Sequence, residues 1–184
     1  AEWSGIARGA THPHANPQRD AMHTVERQRE QLAIAGITRF PVPDLTFLDG
    51  DVTGFGLPQS FALLVPGASP GRPGKRWPVE RYATLAAGLD LPVAVAGGAA
   101  EAGLARAIQA AAPAAVDLTG RTDFGQLGAV ARHAAFAVGN DTGPTHLLAA
   151  VGCPTLALFG DESDPALCAP RGQRVAVQEQ AARQ

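Results

Sequence analysis

One pattern recurs along the chain and limits its fold more than any other. A short apolar run is followed by a Gly- or Pro-bearing turn and then by a helical stretch. The apolar runs fall at residues 61–65, 92–96, 115–119, 134–138 and 154–158. Mostly apolar runs of that length suit strands covered on both faces. Helical spacing lies between them, as in Val79, Tyr82, Ala83 and Ala86, and further helices are expected at about 99–112, 123–133 and 145–151. Strands separated by helices pair in parallel through right-handed crossovers. The fold class expected is α/β, with a Rossmann-like parallel sheet and flanking helices over residues 58–173.

The rest of the chain is read around that domain. At 184 residues, with 46% hydrophobic residues, the sequence can bury one sizeable core and is too apolar for disorder. A net charge of −2 gives no electrostatic footprint for nucleic acid. No apolar run is long enough to span a membrane, and the N-terminus lacks a signal pattern. Cys153 and Cys168 lack metal-site spacing and are expected to be reduced thiols in a cytosolic protein. The first residue is Ala1 rather than Met, as in a fragment or a processed chain.

Residues 1–57 are read as a linker and an inter-domain helix region. Residues 1–19 have no period, and His12 and His14 lack the third ligand a metal site needs. Met22, Val25, Arg29 and Leu32 fall at helical spacing, and Gly36 closes the run. Asp49-Gly50-Asp51 has the form of a metal-binding Asp-x-Asp, but Asp-Gly is also common turn chemistry, and it is read as a turn. No metal site is expected. Residues 174–184 are left as a C-terminal tail with no assigned element.

Chemistry is expected where the strands end. Residues 138–146 read as a strand end, a polar turn and a helix start, with Pro144 in the first helical turn and Asp141, Thr142 or Gly143 as the cap. Free amides and the positive helix end then converge on one spot, which suits an anion. Residues 66–78 form a Gly-rich basic loop between a strand and a helix. It is not a Walker A motif, because Ser69 and Arg76 stand where a glycine and a Ser/Thr are needed. It still offers flexible amides with Lys75 and Arg76. In a parallel sheet Ser69, Lys75, Arg76, Glu101, Asp141, Thr142, Gly143 and His146 share the carboxyl edge. The basic groups suit a diphosphate, and Glu101 suits ribose hydroxyls. No Gly-x-Gly-x-x-Gly is present, which argues against NAD.

These residues carry a resemblance. Pro66-Gly67-Ala68-Ser69 with Lys75-Arg76-Trp77-Pro78, the run Asp141-Thr142-Gly143-Pro144-Thr145-His146-Leu147, and Pro154 with Leu158-Phe159-Gly160 resemble glycosyltransferase family 9. That family comprises the ADP-heptose:lipopolysaccharide heptosyltransferases and their relatives. The resemblance covers about residues 20–172 and implies the C-terminal, donor-binding half of a GT-B fold. It implies sugar transfer with inversion and without a metal, from a nucleotide-diphosphate sugar, ADP-heptose foremost, to a lipopolysaccharide-type glycolipid. No cofactor is implied beyond that donor. Lys75 would stabilise the leaving diphosphate, with Ser69 and Arg76 nearby. Glu101 would contact ribose, Asp141, Thr142 and Gly143 would hold the diphosphate turn, and His146 would be the helix histidine. The acceptor site and catalytic base would lie in a first domain outside this sequence, so the isolated chain is expected to bind donor and transfer nothing. The implied location is cytoplasmic, with peripheral association at the inner face of the membrane. Two other readings stay open: another GT-B enzyme, such as a nucleotide-sugar epimerase, and a non-catalytic nucleotide-binding module.

Overall fold

The computed structural model describes residues 2–180. The chain divides into two compact units, Ala1–Asp44 with Asp164–Ala169, and Leu45–Ser163 with Pro170–Gln184.

In the first unit β1 (Ser4–Gly5) pairs in parallel with β2 (His12–Pro13), and α1 spans Thr24–Ile34. His23 caps α1, its Nδ1 accepting from the Val25 N–H at 3.2 Å. That leaves Nε2 as the protonated nitrogen, and it donates to the Ala169 carbonyl at 3.0 Å. The helix stops where expected, with Gly36 at φ 86° just beyond it. Met22, expected within the helix, lies before its cap, because the chain is extended at residues 22–23.

The second unit holds a six-stranded, fully parallel sheet. Its elements are β3 (Ala62–Val65), α2 (Val79–Gly88), β4 (Val93–Val95), α3 (Ala102–Ala111), β5 (Val116–Asp117), α4 (Phe124–His133), β6 (Phe136–Asn140), α5 (Gly143–Ala150) and β7 (Thr155–Phe159). The short α6 (Pro165–Cys168) belongs to the first unit, and β8 (Val175–Glu179) returns to the sheet. The spatial order is β5-β4-β3-β6-β7-β8. The chain starts in the middle, winds outward one way, then crosses back and winds the other way. This is the doubly wound Rossmann order, with its reversal between β3 and β6.

Successive residues of the strands feed opposite faces. Phe61, Leu63 and Val65 pack with Leu127, Val130, Ala131 and Leu148 of α4 and α5. Leu64, Val93 and Val95 pack with Tyr82, Ala86, Ala105 and Ile108 of α2 and α3. A side-chain period of two, with helices on both sides, requires an apolar residue at every strand position.

Three segments differ from the sequence reading. The fourth strand runs to Asn140, two residues beyond the expected end, because Gly139 and Asn140 pair in register with Ala157 and Leu158. Residues 45–57, read as connection, pack on the sheet domain through Val52, Phe55 and Leu57. The guanidinium of Arg132 donates to the carbonyls of Leu45 and Leu48 there. Residues 174–184, given no element, contribute β8 along β7, while residues 181–184 lie outside the described residues.

Candidate functional site

The order reversal opens a crevice at the carboxyl ends of β3 and β6, because the two crossovers leave in opposite directions there. The loop 66–78 leaves β3 on one side, and Asp141 and Thr142 lead from β6 into α5 on the other.

Asp141 directly follows the carboxyl end of β6 and is buried to 5% exposure. Its Oδ2 accepts from the Lys75 ammonium, and its Oδ1 lies 3.3 Å from His146 Nε2. Burial works against ionisation. Hydrogen bonds from His146 and Lys75, the Lys75 charge and the Ser163 hydroxyl outweigh it and hold the carboxyl well below the usual carboxylate range. Lys75, 66 residues earlier in sequence, closes the short turn Pro73–Lys75. That turn is close-packed, since a Cβ on Gly160 would collide with the Gly74 carbonyl and one on Gly74 would meet Glu162 Cγ at 2.7 Å.

The beginning of α5 faces the same crevice. Thr142 is its N-cap residue in extended conformation, and no side chain caps it. Its carbonyl accepts from the His146 N–H at 3.2 Å. Gly143 is the exposed first residue of the helix. The first N–H groups of a helix have no partner within it, so this turn presents donors and the positive end of the dipole. The start of α4 is different. Asp123 and Gln126 close it reciprocally, at 2.7 and 3.0 Å.

Arg76 and Lys75 divide their work. The Arg76 guanidinium turns back on its own loop and donates to the Ala68 carbonyl at 2.8 Å, while its Nε is buried without a partner. Ser69 is exposed at the rim, its carbonyl accepting from the Arg72 N–H. Glu101 lies at the neighbouring strand end and caps a turn, its Oε2 accepting from the Gly98 N–H at 2.7 Å. Its carboxylate fills the space where a Cβ on Gly67 would stand, so Glu101 touches the loop that carries Lys75. Lys75, Asp141 and His146 are thus in contact, Thr142 and Gly143 adjoin them in sequence, and Arg76, Ser69 and Glu101 surround the loop. Among the described residues, no group of three or more His, Cys, Asp or Glu could hold a metal ion. Asp51 of the Asp-x-Asp motif caps a turn instead, its Oδ1 accepting from the Thr53 N–H and hydroxyl at 2.9 and 2.7 Å.

Asn140 escaped the sequence reading. It is completely buried at the end of β6, directly before Asp141. Its Oδ1 accepts from the Trp77 N–H at 3.0 Å and the Tyr82 hydroxyl at 3.1 Å. Its Nδ2 donates to the Pro66 and Gly67 carbonyls at 2.8 and 3.2 Å. An amide at the end of an apolar strand, next to a candidate site residue, was the available signal.

The profile of glycosyltransferase family 9 (heptosyltransferase) matches residues 12–183. Solved structures with the same fold include Escherichia coli ADP-heptose LPS heptosyltransferase II, 26% identical, with a TM-score of 0.71 over 92% of this chain and 57% of that one. E. coli heptosyltransferase WaaC with ADP is 26% identical, with a TM-score of 0.65 over 86% and 51%. A family 9 glycosyl transferase from Veillonella parvula, 22% identical, shares the fold with a TM-score of 0.73 over 95% and 54%. The chain therefore spans little more than half the length of each of these proteins. No curated protein matches the sequence at a significant level.

Proposed function

The chain belongs to glycosyltransferase family 9, the heptosyltransferase family, and from that premise we propose that it forms the donor-binding half of a sugar transferase. The donor is a nucleotide-diphosphate sugar, ADP-heptose foremost, and the acceptor a lipopolysaccharide-type glycolipid. The observation that carries this reading is the contact of Lys75, Asp141 and His146 beneath the uncapped start of α5. It places a cation, a helix dipole and free amides together at the order reversal of the sheet. A diphosphate is the ligand class that uses all three.

In the transfer, an acceptor oxygen attacks the anomeric carbon on the face opposite the leaving group. The bond from that carbon to the diphosphate breaks and its electron pair leaves with the diphosphate, so negative charge grows on the phosphate oxygens. Lys75 and the amides of α5 stabilise that charge, the task a metal ion performs in other transferases. Asp141 contributes no attraction to phosphate. It holds the Lys75 ammonium in the crevice before the donor arrives, and with His146 it orients the sugar side of the ligand. Glu101 meets the ribose, and Arg76 and Ser69 shape the loop around the phosphates. The base that takes the acceptor hydroxyl's proton and the acceptor site belong to a partner domain, and the chain works at the cytoplasmic face of the membrane. No described helix is long and apolar enough to cross a membrane.

Calorimetric titration with ADP and UDP tests the proposal. ADP should bind more tightly than UDP. Lys75→Ala and Asp141→Ala should each weaken ADP roughly 10- to 100-fold, the equivalent of one charge-assisted hydrogen bond. Equal ADP affinity in both variants would remove the site from the crevice. A preference for UDP would overturn ADP-heptose as donor.

A further inference from the structure

The two halves of the crevice come from segments about 70 residues apart, and a diphosphate can use both only if their separation is fixed. Besides the Lys75–Asp141 ion pair, one neutral side chain spans that gap. Asn140 reaches the start of the loop at Pro66 and Gly67, its far end at Trp77, and Tyr82 on α2, while its own backbone leads directly into Asp141. All four bonding directions of its side chain are used inside the protein, and it is completely buried. The amide cannot be flipped, because its NH₂ group would then face the Trp77 N–H and its oxygen two carbonyls. Burial pushes the Tyr82 phenol well above its usual range, so that group remains a donor; its hydroxyl also lies 3.3 Å from the Val65 carbonyl.

We propose that Asn140 is a positioning residue for the transfer. It sets the distance between the Lys75 loop and the Asp141 turn, and so aims Lys75 and the α5 amides at the same diphosphate. It touches neither donor nor reacting atoms. The functional part of this inference rests on the donor-site reading above.

Two variants test it. In Asn140→Asp one oxygen still accepts from Trp77 and Tyr82, but the other, when ionised, faces the Pro66 and Gly67 carbonyls. ADP affinity relative to the unmodified chain should fall at least tenfold at pH 8.5. It should recover to within about threefold at pH 5.5, where the introduced carboxyl is protonated and donates its one hydrogen to the Pro66 or Gly67 carbonyl. The Trp77 amide should stay protected from hydrogen exchange throughout. The titratable and charged groups nearby are Tyr82, Glu101 against Gly67, Arg76 at the Ala68 carbonyl and, through the adjoining Asp141, Lys75 and His146, and the comparison at each pH removes their own effect. In Asn140→Ala the Trp77 amide should exchange at least tenfold faster, and ADP affinity should fall at every pH.

Wild-type ADP affinity in both variants would overturn the proposal, as would an Asn140→Asp defect independent of pH. If the unmodified chain binds no ADP, the donor-site reading fails instead. The tether is then decided by exchange alone. Lost Trp77 protection in Asn140→Ala supports it, and retained protection overturns it. Should Asn140→Ala not fold, the pH dependence of Asn140→Asp carries the same decision.

Discussion

Asp141 is almost sealed from solvent, with a side-chain exposure of 4%, and its charge persists there because Lys75 and His146 meet both oxygens. A buried ion pair is costly to break on one side, since the remaining charge is left without compensation. Lys75→Ala should therefore destabilise the fold by roughly 2–4 kcal/mol in addition to weakening ADP. Adding Asp141→Asn to it should return part of that loss, measured by urea unfolding. The same carboxylate sets a response to acid. Its folded-state pKa lies below the ordinary value of 3.8, so the folded chain binds fewer protons than the unfolded one in that range. The stabilisation is present above the ordinary value and is lost as pH falls through it and below. The stability gap between the unmodified chain and Asp141→Asn should narrow steadily below about pH 4 in acid unfolding curves.

At the scale of elements, two helix starts on the same sheet edge are built for different ends. Asp123 and Gln126 close the start of α4 with side chains, whereas α5 begins at Gly143 and Pro144 with no side-chain cap. Asp123→Ala should cost about 1 kcal/mol of stability and leave ADP affinity unchanged, because it removes a cap from a helix that meets no donor. The close seating of α5 depends on Gly139, whose added Cβ would collide with Thr145 Oγ1 and lie 3.0 Å from Val65 Cβ. The Thr145 hydroxyl in turn donates to the Asn140 carbonyl at 2.7 Å. Gly139→Ala should displace the first turn of α5, with about 1–3 kcal/mol lost to overpacking and a weakened ADP site. Urea midpoints and calorimetry on the same samples separate the two effects.

At the scale of the whole molecule, each unit has its own balance of burial. The strands β3, β4 and β6 bury nearly all their side chains, whereas α1 in the other unit has no buried residue. Amides of the central strands should exchange several orders of magnitude more slowly than those of α1, because their opening requires loss of the sheet core. Comparable rates in hydrogen-exchange mass spectrometry would contradict that division. The strand order also fixes where a ligand can be held. The reversal between β3 and β6 brings the 66–78 loop and the start of α5 together, although 66 residues separate Lys75 from Asp141.

The continuous apolar runs and the helical spacing between them were legible in the sequence, because burial on both faces demands apolar residues at every strand position and crossovers demand helices. The succession of strand end, polar turn and helix start at residues 138–146 was legible too, since Pro144 and the small polar residues before it act locally. The strand β8 was not, because an edge strand with one neighbour and exposed side chains needs no strong apolar pattern. Lys75 and Arg76 look alike in sequence, and only packing turned one toward Asp141 and the other onto the Ala68 carbonyl. Asn140 reads as one more polar residue after an apolar run. Its four hydrogen bonds exist only once the sheet has brought Pro66, Gly67, Trp77 and Tyr82 around it. The sequence by itself determined the strands and helices of the sheet core from β3 to β7, because their signals are periodic and local. The tertiary structure decided which polar groups meet, because those partners are distant in the chain and become neighbours only through strand order.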